Sequence, residues 1–291
     1  MSPYHQNGMG GKAARVEETS ALLASVYCAK RAGGLLLHSD RGEQCGMDIK
    51  HQSQQAMQRE YYARTAEHYD QFHHRGIDEH QFALAWLKGV IELFEIKSIL
   101  DIGSGTGRAL HTLKAAVPGL RIVGIEPSAA LREQGYAKGL GEDELVDGDV
   151  HNLSYENGAC DLVSEFATLH HVPDPRRAVD EMLRVARMGV FISDGNKFGQ
   201  GPPAKRAMKR LVRALGLWGA YDYVRTKGKG YMISQGDGLF YSYSVFDNYK
   251  QIRAACPSVH IMNTQPAGID PFKTASVVAL LGMKQRLMIT S

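Results

Sequence analysis

The residues of this chain with the clearest chemical signature form a glycine-rich turn. Asp101 lies in the short apolar run 98–102, and the residues that follow this run are Gly103, Ser104, Gly105, Thr106 and Gly107. Glycines free a turn of side chains, so that a ligand can lie against the backbone. A buried strand, such a turn and a helical segment at 108–116 together predict a cofactor site, with the amides of the helix N-terminus facing the ligand.

The spacing of the turn distinguishes between two kinds of cofactor site. The dinucleotide fingerprint requires a glycine or alanine three residues after the second glycine, and Arg108 stands there instead. The Gly-x-Gly-x-Gly form, with Asp101 two residues before the first glycine, resembles motif I of the class I S-adenosylmethionine (SAM) dependent methyltransferases. The resemblance implies that SAM is the cofactor and that Asp101 and the turn contact it, the turn residues being Gly103, Ser104, Gly105 and Gly107.

A second acid ends the next predicted strand, 120–126. Glu126 lies about twenty residues past the glycine turn, where nucleotide-binding βαβ units place an acid that accepts hydrogen bonds from the ribose hydroxyls. Pro127 and Ser128 then give the signals of a helix start, and Pro127 is included among the predicted cofactor contacts. A solvated surface glutamate is the alternative.

The third predicted strand, 144–148, is followed by Asp149 and Val150. In the methyltransferases, an aspartate here accepts a hydrogen bond from the adenine amino group and the neighbouring amide donates to the ring. The resemblance therefore implies that Asp149 and Val150 contact adenine. An ordinary turn that contains aspartate is the alternative.

The most specific likeness after the glycine turn follows the fourth predicted strand, 159–164. The sequence Leu169-His-His-Val-Pro-Asp174 resembles the methyltransferase type 11 branch, which includes many small-molecule and natural-product enzymes. The likeness extends from about residue 61 to residue 196. Phe166 is predicted to contact the cofactor, and Tyr69, in the helical segment before the sheet, to contact the methionine end of SAM or to pack on the sheet.

Two further side chains are candidates for catalysis. His170 follows the fourth strand and Asp194 ends the fifth, so both are expected near the reacting methyl group. Histidine titrates near neutrality and can deprotonate a hydroxyl, with Asp194 orienting it or binding the acceptor. Alternatively, His170 packs on the cofactor and Asp194 caps a turn. The sequence Asp194-Gly-Asn196 is faintly similar to magnesium-assisted catechol-type enzymes, but the other carboxylate of that site is not evident, and we predict no metal.

The strand and helix pattern predicts an α/β fold. The expected architecture is a Rossmann-like, seven-stranded, mostly parallel sheet with helices on both faces. A helix at 78–94 should bury one face, comprising Phe82, Ala85, Trp86, Val90 and Leu93. The family's Pro-Gly-Gly turn before the fifth strand is reduced to Gly189, which predicts a tightened turn and an intact strand at 190–193. The last two strands are expected at 259–265 and 274–281.

An insertion at 197–257 precedes those two strands and is expected to form a lid or substrate wall. It holds 10 of the 24 aromatic residues of the chain in 61 positions, and acceptor contacts are expected at 236–246. Residues 204–215 combine an apolar stripe with an opposite basic face. We expect the apolar stripe to dock on the domain, leaving the basic face solvated; alternatively, the segment binds an acidic substrate, a phosphate-bearing lipid or a membrane edge.

The first fifty residues, 1–50, are expected to be a poorly ordered extension, and 51–291 to be the methyltransferase domain. Residues 34–44 resemble a segment around a catalytic aspartate of insertion-sequence transposases, but the other acids of such a nuclease have no room here. This segment is interpreted as a transposon remnant or a misplaced start, with translation beginning at Met47 or Met57.

Composition narrows the function classes. The 34 lysines and arginines nearly balance the 31 acids, which argues against nucleic acid as the main partner. Four cysteines without zinc-site spacing indicate free thiols in a reducing compartment. No apolar run reaches the length of about eighteen residues of a membrane span. A cytoplasmic location is therefore expected.

The sequence as a whole predicts a SAM-dependent methyltransferase that acts on a small hydroxylated acceptor, such as a sugar or natural product. A SAM-binding protein without transferase activity, whose aromatic insertion binds a partner, is the alternative. A nicotinamide oxidoreductase is disfavoured by Arg108, and a nucleic-acid methyltransferase by the lack of an Asn/Asp-Pro-Pro-Tyr/Phe motif after the fourth strand.

Overall fold

The computed structural model describes residues 40–73, 78–265 and 270–285, and the side chains of 40–52, 72 and 73 are not described. Two units are distinguished along the chain. The first, 1–57, contributes only helical backbone from residue 40 onward, and the second, 58–291, holds the sheet and every side chain discussed below. The transposase-like segment lies partly outside the described residues. Residues 40–50, expected to be poorly ordered, are helical.

The described strands form a seven-stranded sheet with the order β3-β2-β1-β4-β5-β9-β8. Pairing is parallel from β3 to β5, and β9 is antiparallel to both of its neighbours. The strand bounds are Ser98–Ile102 (β1), Arg121–Ile125 (β2), Leu145–Val146 (β3), Cys160–Phe166 (β4), Ala186–Gly195 (β5), Ser258–Asn263 (β8) and Val277–Met283 (β9). A separate hairpin pairs Tyr231–Ser234 (β6) with Gly238–Tyr241 (β7). The predicted mostly parallel sheet is confirmed.

Within the second unit, helices pack on both faces of the sheet. The helix bounds of both units in the described residues are Asp40–Thr65 (α1), Tyr69–His73 (α2), Glu79–Leu93 (α3), Arg108–Ala116 (α4), Ala129–Ala137 (α5), Pro175–Val185 (α6), Pro203–Ala214 (α7), Trp218–Arg225 (α8) and Tyr249–Ala255 (α9). None of the described helices is long and apolar enough to cross a membrane.

Both faces of the sheet are buried, which explains why its central strands are almost continuously apolar. On one face, Leu162 and Phe191 pack with α3 and α4 in one core cluster. On the other, Val163 and Ile192 pack with α6 and α9 in a second cluster. The two clusters hold the central strands in place, and the ends of these strands form the edge that carries the candidate site.

The shortened connection before β5 contains no turn, because β5 begins at Ala186, directly after α6 ends at Val185. The Lys284 ammonium group donates hydrogen bonds to the carbonyls of Leu183 and Ala186, both at 2.6 Å. A side chain from the end of β9 therefore satisfies carbonyls at the helix C-terminus. The strand is intact, as expected, and longer than the predicted 190–193.

Two predicted helix faces are wrong. In α3, the predicted Phe82 and Leu93 are 51% and 74% exposed, whereas Val90 is buried as predicted and Trp86 packs partly buried against the core. The buried face consists of Ala83, Leu84, Leu87, Val90 and Ile91. In α7, the apolar stripe that was expected to dock points to solvent, and Leu211 is 59% exposed. Lys209, expected in solvent, is buried instead. The reason for the orientation of α7 lies in the hydrogen bonds of Lys209, described below.

Candidate active site

The glycine turn lies where the strand order reverses, between β1 and β4, which is where open α/β sheets bind their ligands. Gly103 and Ser104 donate backbone hydrogen bonds to the Ile125 carbonyl at 2.8 and 3.0 Å. All three glycines have positive φ, with 65° at Gly103. A Cβ at Gly103 would lie 2.3 Å from the Thr168 hydroxyl oxygen, so only glycine fits.

Asp101 is fully enclosed beside this turn, with 2% of its surface exposed. Its carboxylate accepts hydrogen bonds from the Ser104 hydroxyl at 2.9 Å and from the Ser164 hydroxyl at 2.7 Å. Burial raises the pKa of Asp101 to about 6, although both serine donors favour the ionised form. This residue therefore braces the turn against β4.

Glu126 is also buried, which excludes a solvated surface glutamate. Its Oε2 accepts from the Gly105 amide at 3.0 Å, and its Oε1 from the Ser128 amide at 2.8 Å. Burial raises the pKa of Glu126 to about 7. Pro127, by contrast, is exposed. The carboxylate is thus fixed in orientation at the carboxyl end of β2, with lone pairs left for a ligand.

Asp149 and Val150 follow β3, the neighbour of β2 at this edge. Val150 is buried, and the Asp149 side chain is 47% exposed. The Asp149 carboxylate accepts from the His151 amide at 3.0 Å and lies 2.9 Å from the Nδ1 atom of its ring. The two predicted adenine contacts therefore share one turn beside the strand that carries Glu126.

The phenol of Tyr69 covers the glycine turn. A Cβ at Gly105 would lie 3.1 Å from the Tyr69 hydroxyl oxygen. Tyr69 lines a cavity of about 60 Å³ together with four of the predicted cofactor contacts, Asp101, Gly103, Ser104 and Phe166. The lining also includes His80, Thr106 and Arg108, which were not among the predicted cofactor contacts.

Polar contacts hold residues 66–73 against the glycine turn. The Asp70 carboxylate accepts from the Thr106 hydroxyl at 2.8 Å and pairs with Lys138. Farther along the chain, Asp78 receives a two-bond contact from the Arg108 guanidinium at 2.6 and 2.8 Å. Burial opposes ionisation of Asp78, but Arg108 outweighs it and lowers its pKa. Arg108, at the third-glycine position, is thus paired with Asp78.

His170 and Asp194 are brought together, as their predicted shared role requires. The Nδ1 atom of His170 lies 2.7 Å from the Asp194 carboxylate, which also accepts from the His170 amide at 3.1 Å. Burial disfavours the charged imidazole, but the Asp194 carboxylate prevails and raises the pKa of His170. Burial would likewise raise the pKa of Asp194, yet the imidazole and the amide donors hold it below its ordinary value.

A second buried acid, Glu165, was missed by the sequence reasoning. It lies on β4, paired with Ile192, and on the same face of the sheet as Asp194. Its Oε2 accepts from the Thr168 amide at 2.9 Å, whereas its Oε1 is buried without a hydrogen-bond partner. Burial, then the nearby Asp194 carboxylate, raise the pKa of Glu165 well above its ordinary value. A glutamate inside the apolar run of β4 was the available signal.

The hairpin β6–β7 lies next to these groups through His171. The Nδ1 atom of His171 is 2.6 Å from the Leu239 carbonyl, and Leu239 in turn donates its amide to Gln58 at 2.6 Å. The rings of His170 and His171 lie 4.0 Å apart. Leu239, in the segment 236–246 where acceptor contacts are expected, thus contacts His171, the sequence neighbour of the candidate base His170.

Comparison with known proteins agrees with this geometry. Residues 100–193 match the family model of a methyltransferase domain. The chain is 36% identical over 145 residues to norajmaline N-methyltransferase of Rauvolfia serpentina, covering 44% of this chain and 50% of that protein. It is 32% identical over 105 residues to demethylmenaquinone methyltransferase of Thermotoga maritima, covering 35% and 45%. The chain therefore spans about half the length, or less, of these curated relatives.

Among solved structures, a SAM-dependent methyltransferase of Thermotoga maritima, described as a possible histamine N-methyltransferase, matches with 18% identity and a TM-score of 0.47, covering 78% of this chain and 99% of that one. Residues 100–193 therefore match a methyltransferase domain, and the sheet order and the glycine turn agree with the resemblance to the class I SAM-dependent methyltransferases. S-adenosyl-L-methionine is the cofactor of this domain.

Proposed function

We propose that the protein transfers a methyl group from SAM to a hydroxyl of a small acceptor, such as a sugar or natural product. The observation that carries the proposal is the contact of 2.7 Å between His170 and Asp194, at the ends of two neighbouring strands. The names of the two curated relatives above concern small organic acceptors, one methylated on nitrogen and the other a quinone precursor. They support the acceptor class, and the oxygen is our inference from the histidine.

The residues around the turn fit the cofactor. Gly103 and Gly105 leave the backbone bare, and added Cβ atoms would meet neighbouring side chains. Glu126 is held by two backbone amides with its remaining lone pairs suited to a ribose diol. We assign the adenine end to Asp149 and Val150 beside it. The other proposed contacts are Asp101, Ser104, Gly107, Pro127, Phe166 and, for the methionine end, Tyr69.

When bound, SAM supplies an electrophilic methyl group on a positively charged sulfur. The chain then has to align the acceptor, exclude water and accept a proton. Since the Nδ1 atom of His170 faces Asp194, its proton is held there and Nε2 carries the lone pair that accepts the hydroxyl proton. Asp194 is a positioning residue, because it fixes the tautomer and stabilises the imidazolium that forms.

The raised pKa of Glu165 is consistent with this assignment. Two buried carboxylates near one another do not both ionise readily, because each opposes the charge on the other. Burial and the Asp194 carboxylate raise the pKa of Glu165, whereas the imidazole partner of Asp194 helps to lower the pKa of Asp194. The arrangement therefore concentrates the negative charge of this face on the oxygen next to His170.

Titration calorimetry with SAM, its product S-adenosylhomocysteine and NAD tests the proposal. We expect both sulfur compounds to bind, and NAD not to bind. Glu126→Ala should abolish binding, while Glu133→Ala, at an exposed position of α5, should leave it unchanged. Binding of NAD alone, or of nothing, would contradict the proposed function.

An acceptor screen with radiolabelled SAM then tests transfer itself. We expect His170→Gln to keep the affinity for S-adenosylhomocysteine and to lose most of the turnover, because general-base catalysis contributes about 10²–10⁴-fold. Full turnover in this variant would remove His170 from the mechanism. Binding without turnover on any hydroxylated acceptor would favour a SAM-binding protein without transferase activity.

A further inference from the structure

The helices α7 and α8 present a large apolar surface to solvent. Successive turns of α7 expose Met208, Leu211 and Leu215, which are 37%, 59% and 62% exposed. Leu217, before α8, is 54% exposed, and Val224, near the end of α8, is 76% exposed. We call residues 203–225 the helical pair. Its outward apolar side is the stripe that the sequence pattern had assigned to the core.

Hydrogen bonds and ring contacts fix this orientation. The buried Lys209 ammonium group donates to the carbonyls of Lys197 at 2.7 Å and Gln200 at 3.2 Å. One turn later, the Arg213 guanidinium stacks 4.5 Å from the centre of the Phe198 ring. That ring packs 5.3 Å from Trp218 of α8. Rolling α7 to bury its leucines would leave these cations without their partners, so the outward stripe is the stable arrangement.

The charge of this region is strongly one-sided. Residues 197–230 contain nine lysines and arginines and a single acid, Asp222. Asp222 is paired with Arg225 at 2.8 Å. Lys205, beside the apolar stripe, and Lys227 and Lys229, just after α8, are exposed. Asp247, farther along the chain, pairs with Lys197 and Arg213. The positive charge that flanks the apolar stripe at the surface therefore comes from the exposed lysines Lys205, Lys227 and Lys229.

We propose that the helical pair binds the surface of an anionic lipid bilayer, with the leucines inserted among the acyl chains and the lysines at the headgroups. Amphipathic helices with a basic polar side and exposed leucines bind membranes in this way, lying in the interface without crossing it. Each lysine or arginine near an anionic surface strengthens binding, and each buried leucine adds the hydrophobic contribution of its area.

Charge favours a bilayer over the other candidate partners. A second copy of the same surface would bring two sets of exposed lysines together, namely Lys205, Lys227 and Lys229, which is repulsive. A nucleic acid would match the charge, but its phosphates would leave the stripe of Met208, Leu211 and Leu215 in contact with water. Only a surface that is anionic outside and apolar beneath matches both features. This inference does not depend on the proposed methyl transfer.

Vesicle flotation of the whole chain tests the proposal. We expect binding to vesicles that contain phosphatidylglycerol with phosphatidylcholine, weaker binding at high salt, and weak binding to phosphatidylcholine alone. Leu211→Ser and Leu215→Ser should each lower the vesicle partition coefficient about tenfold. Lys205→Gln should lower it about fivefold on anionic vesicles only. All three positions are exposed, so thermal unfolding should not change.

Leu93→Ser provides the matched control, because Leu93 is 74% exposed on α3, outside the helical pair. It should leave vesicle binding unchanged. Absence of binding to the anionic vesicles, or equal losses in the Leu93 and Leu211 variants, would overturn the proposal. Two results in the absence of lipid would also overturn it. One is a dimer in sedimentation equilibrium that the Leu211 and Leu215 substitutions abolish, and the other is binding to duplex DNA that the same substitutions abolish.

Discussion

The contact between His170 and Asp194 predicts a coupling free energy that depends on pH. With a neutral His170 ring, the contact of 2.7 Å is a hydrogen bond to an ionised carboxylate, worth about 1.5–3 kcal/mol; protonation of His170 adds the attraction between two opposite charges. Asp194 raises the pKa of His170 in the folded state. The extra stability is therefore complete below the ordinary histidine pKa of about 6.5 and is lost as pH rises through the folded value.

A double-mutant cycle measures this coupling. Urea unfolding of the wild type, His170→Gln, Asp194→Asn and the double variant would be compared at about pH 5.5 and about pH 9, on either side of the ordinary pKa. Asp194→Asn also removes the charge that raises the pKa of Glu165. That effect occurs with either residue at position 170, so the cycle largely cancels it.

An NMR titration of the His170 ring completes the assay. We expect the pKa of His170 to fall in Asp194→Asn, because burial then acts without the opposing carboxylate. A coupling below about 0.5 kcal/mol at the lower pH, or one of equal size at both pH values, would refute the reasoning. An unchanged pKa of His170 in the variant would refute it as well.

Three further predictions concern the cofactor side of the site. Because burial raises the pKa of Glu126 to about 7, calorimetric affinity for S-adenosylhomocysteine should increase as pH rises through that value; affinity independent of pH would contradict the role of the ionised carboxylate. Ser164→Ala should lower the free energy of unfolding in urea by about 1–3 kcal/mol above pH 6, the approximate pKa of Asp101. The loss should be smaller below that pH, where the Asp101 acceptor is neutral, and equal losses would argue against this hydrogen bond. Gly103→Ala should lower the melting temperature more than Gly139→Ala, since both have positive φ but only Gly103 has a neighbour within 4 Å of the added Cβ; equal losses would contradict the steric account.

The sheet and the cofactor side could be predicted because their signals are local. The apolar run of β1, the glycines after it and the acid at the end of β2 are adjacent in sequence to the features that explain them. The burial of Glu126 also follows from its position at the inner end of a strand covered on both faces. The roles of these residues toward SAM remain predictions.

The orientation of α7 could not be predicted because it depends on distant partners. A helix with one apolar and one basic face normally buries the apolar one. Here the carbonyls of Lys197 and Gln200 bind the Lys209 ammonium group, and Phe198 accepts the Arg213 guanidinium. Neither contact leaves a periodic signal. The prediction of the buried face of α3 was wrong for a different reason. Apolar residues lie on two adjacent faces of this helix, and periodicity alone does not choose between them.

The position of β9 has a consequence for how the chain folds during synthesis. Although β9 is the last described strand in chain order, it pairs with β5 in the middle of the sheet and carries Lys284 back to the end of α6. Until residues 277–283 emerge from the ribosome, β5 has an unpaired edge and the carbonyls of Leu183 and Ala186 lack their ammonium partner. β9 is synthesised about ninety residues after β5, so the nascent domain exposes an unpaired, aggregation-prone strand edge during that interval.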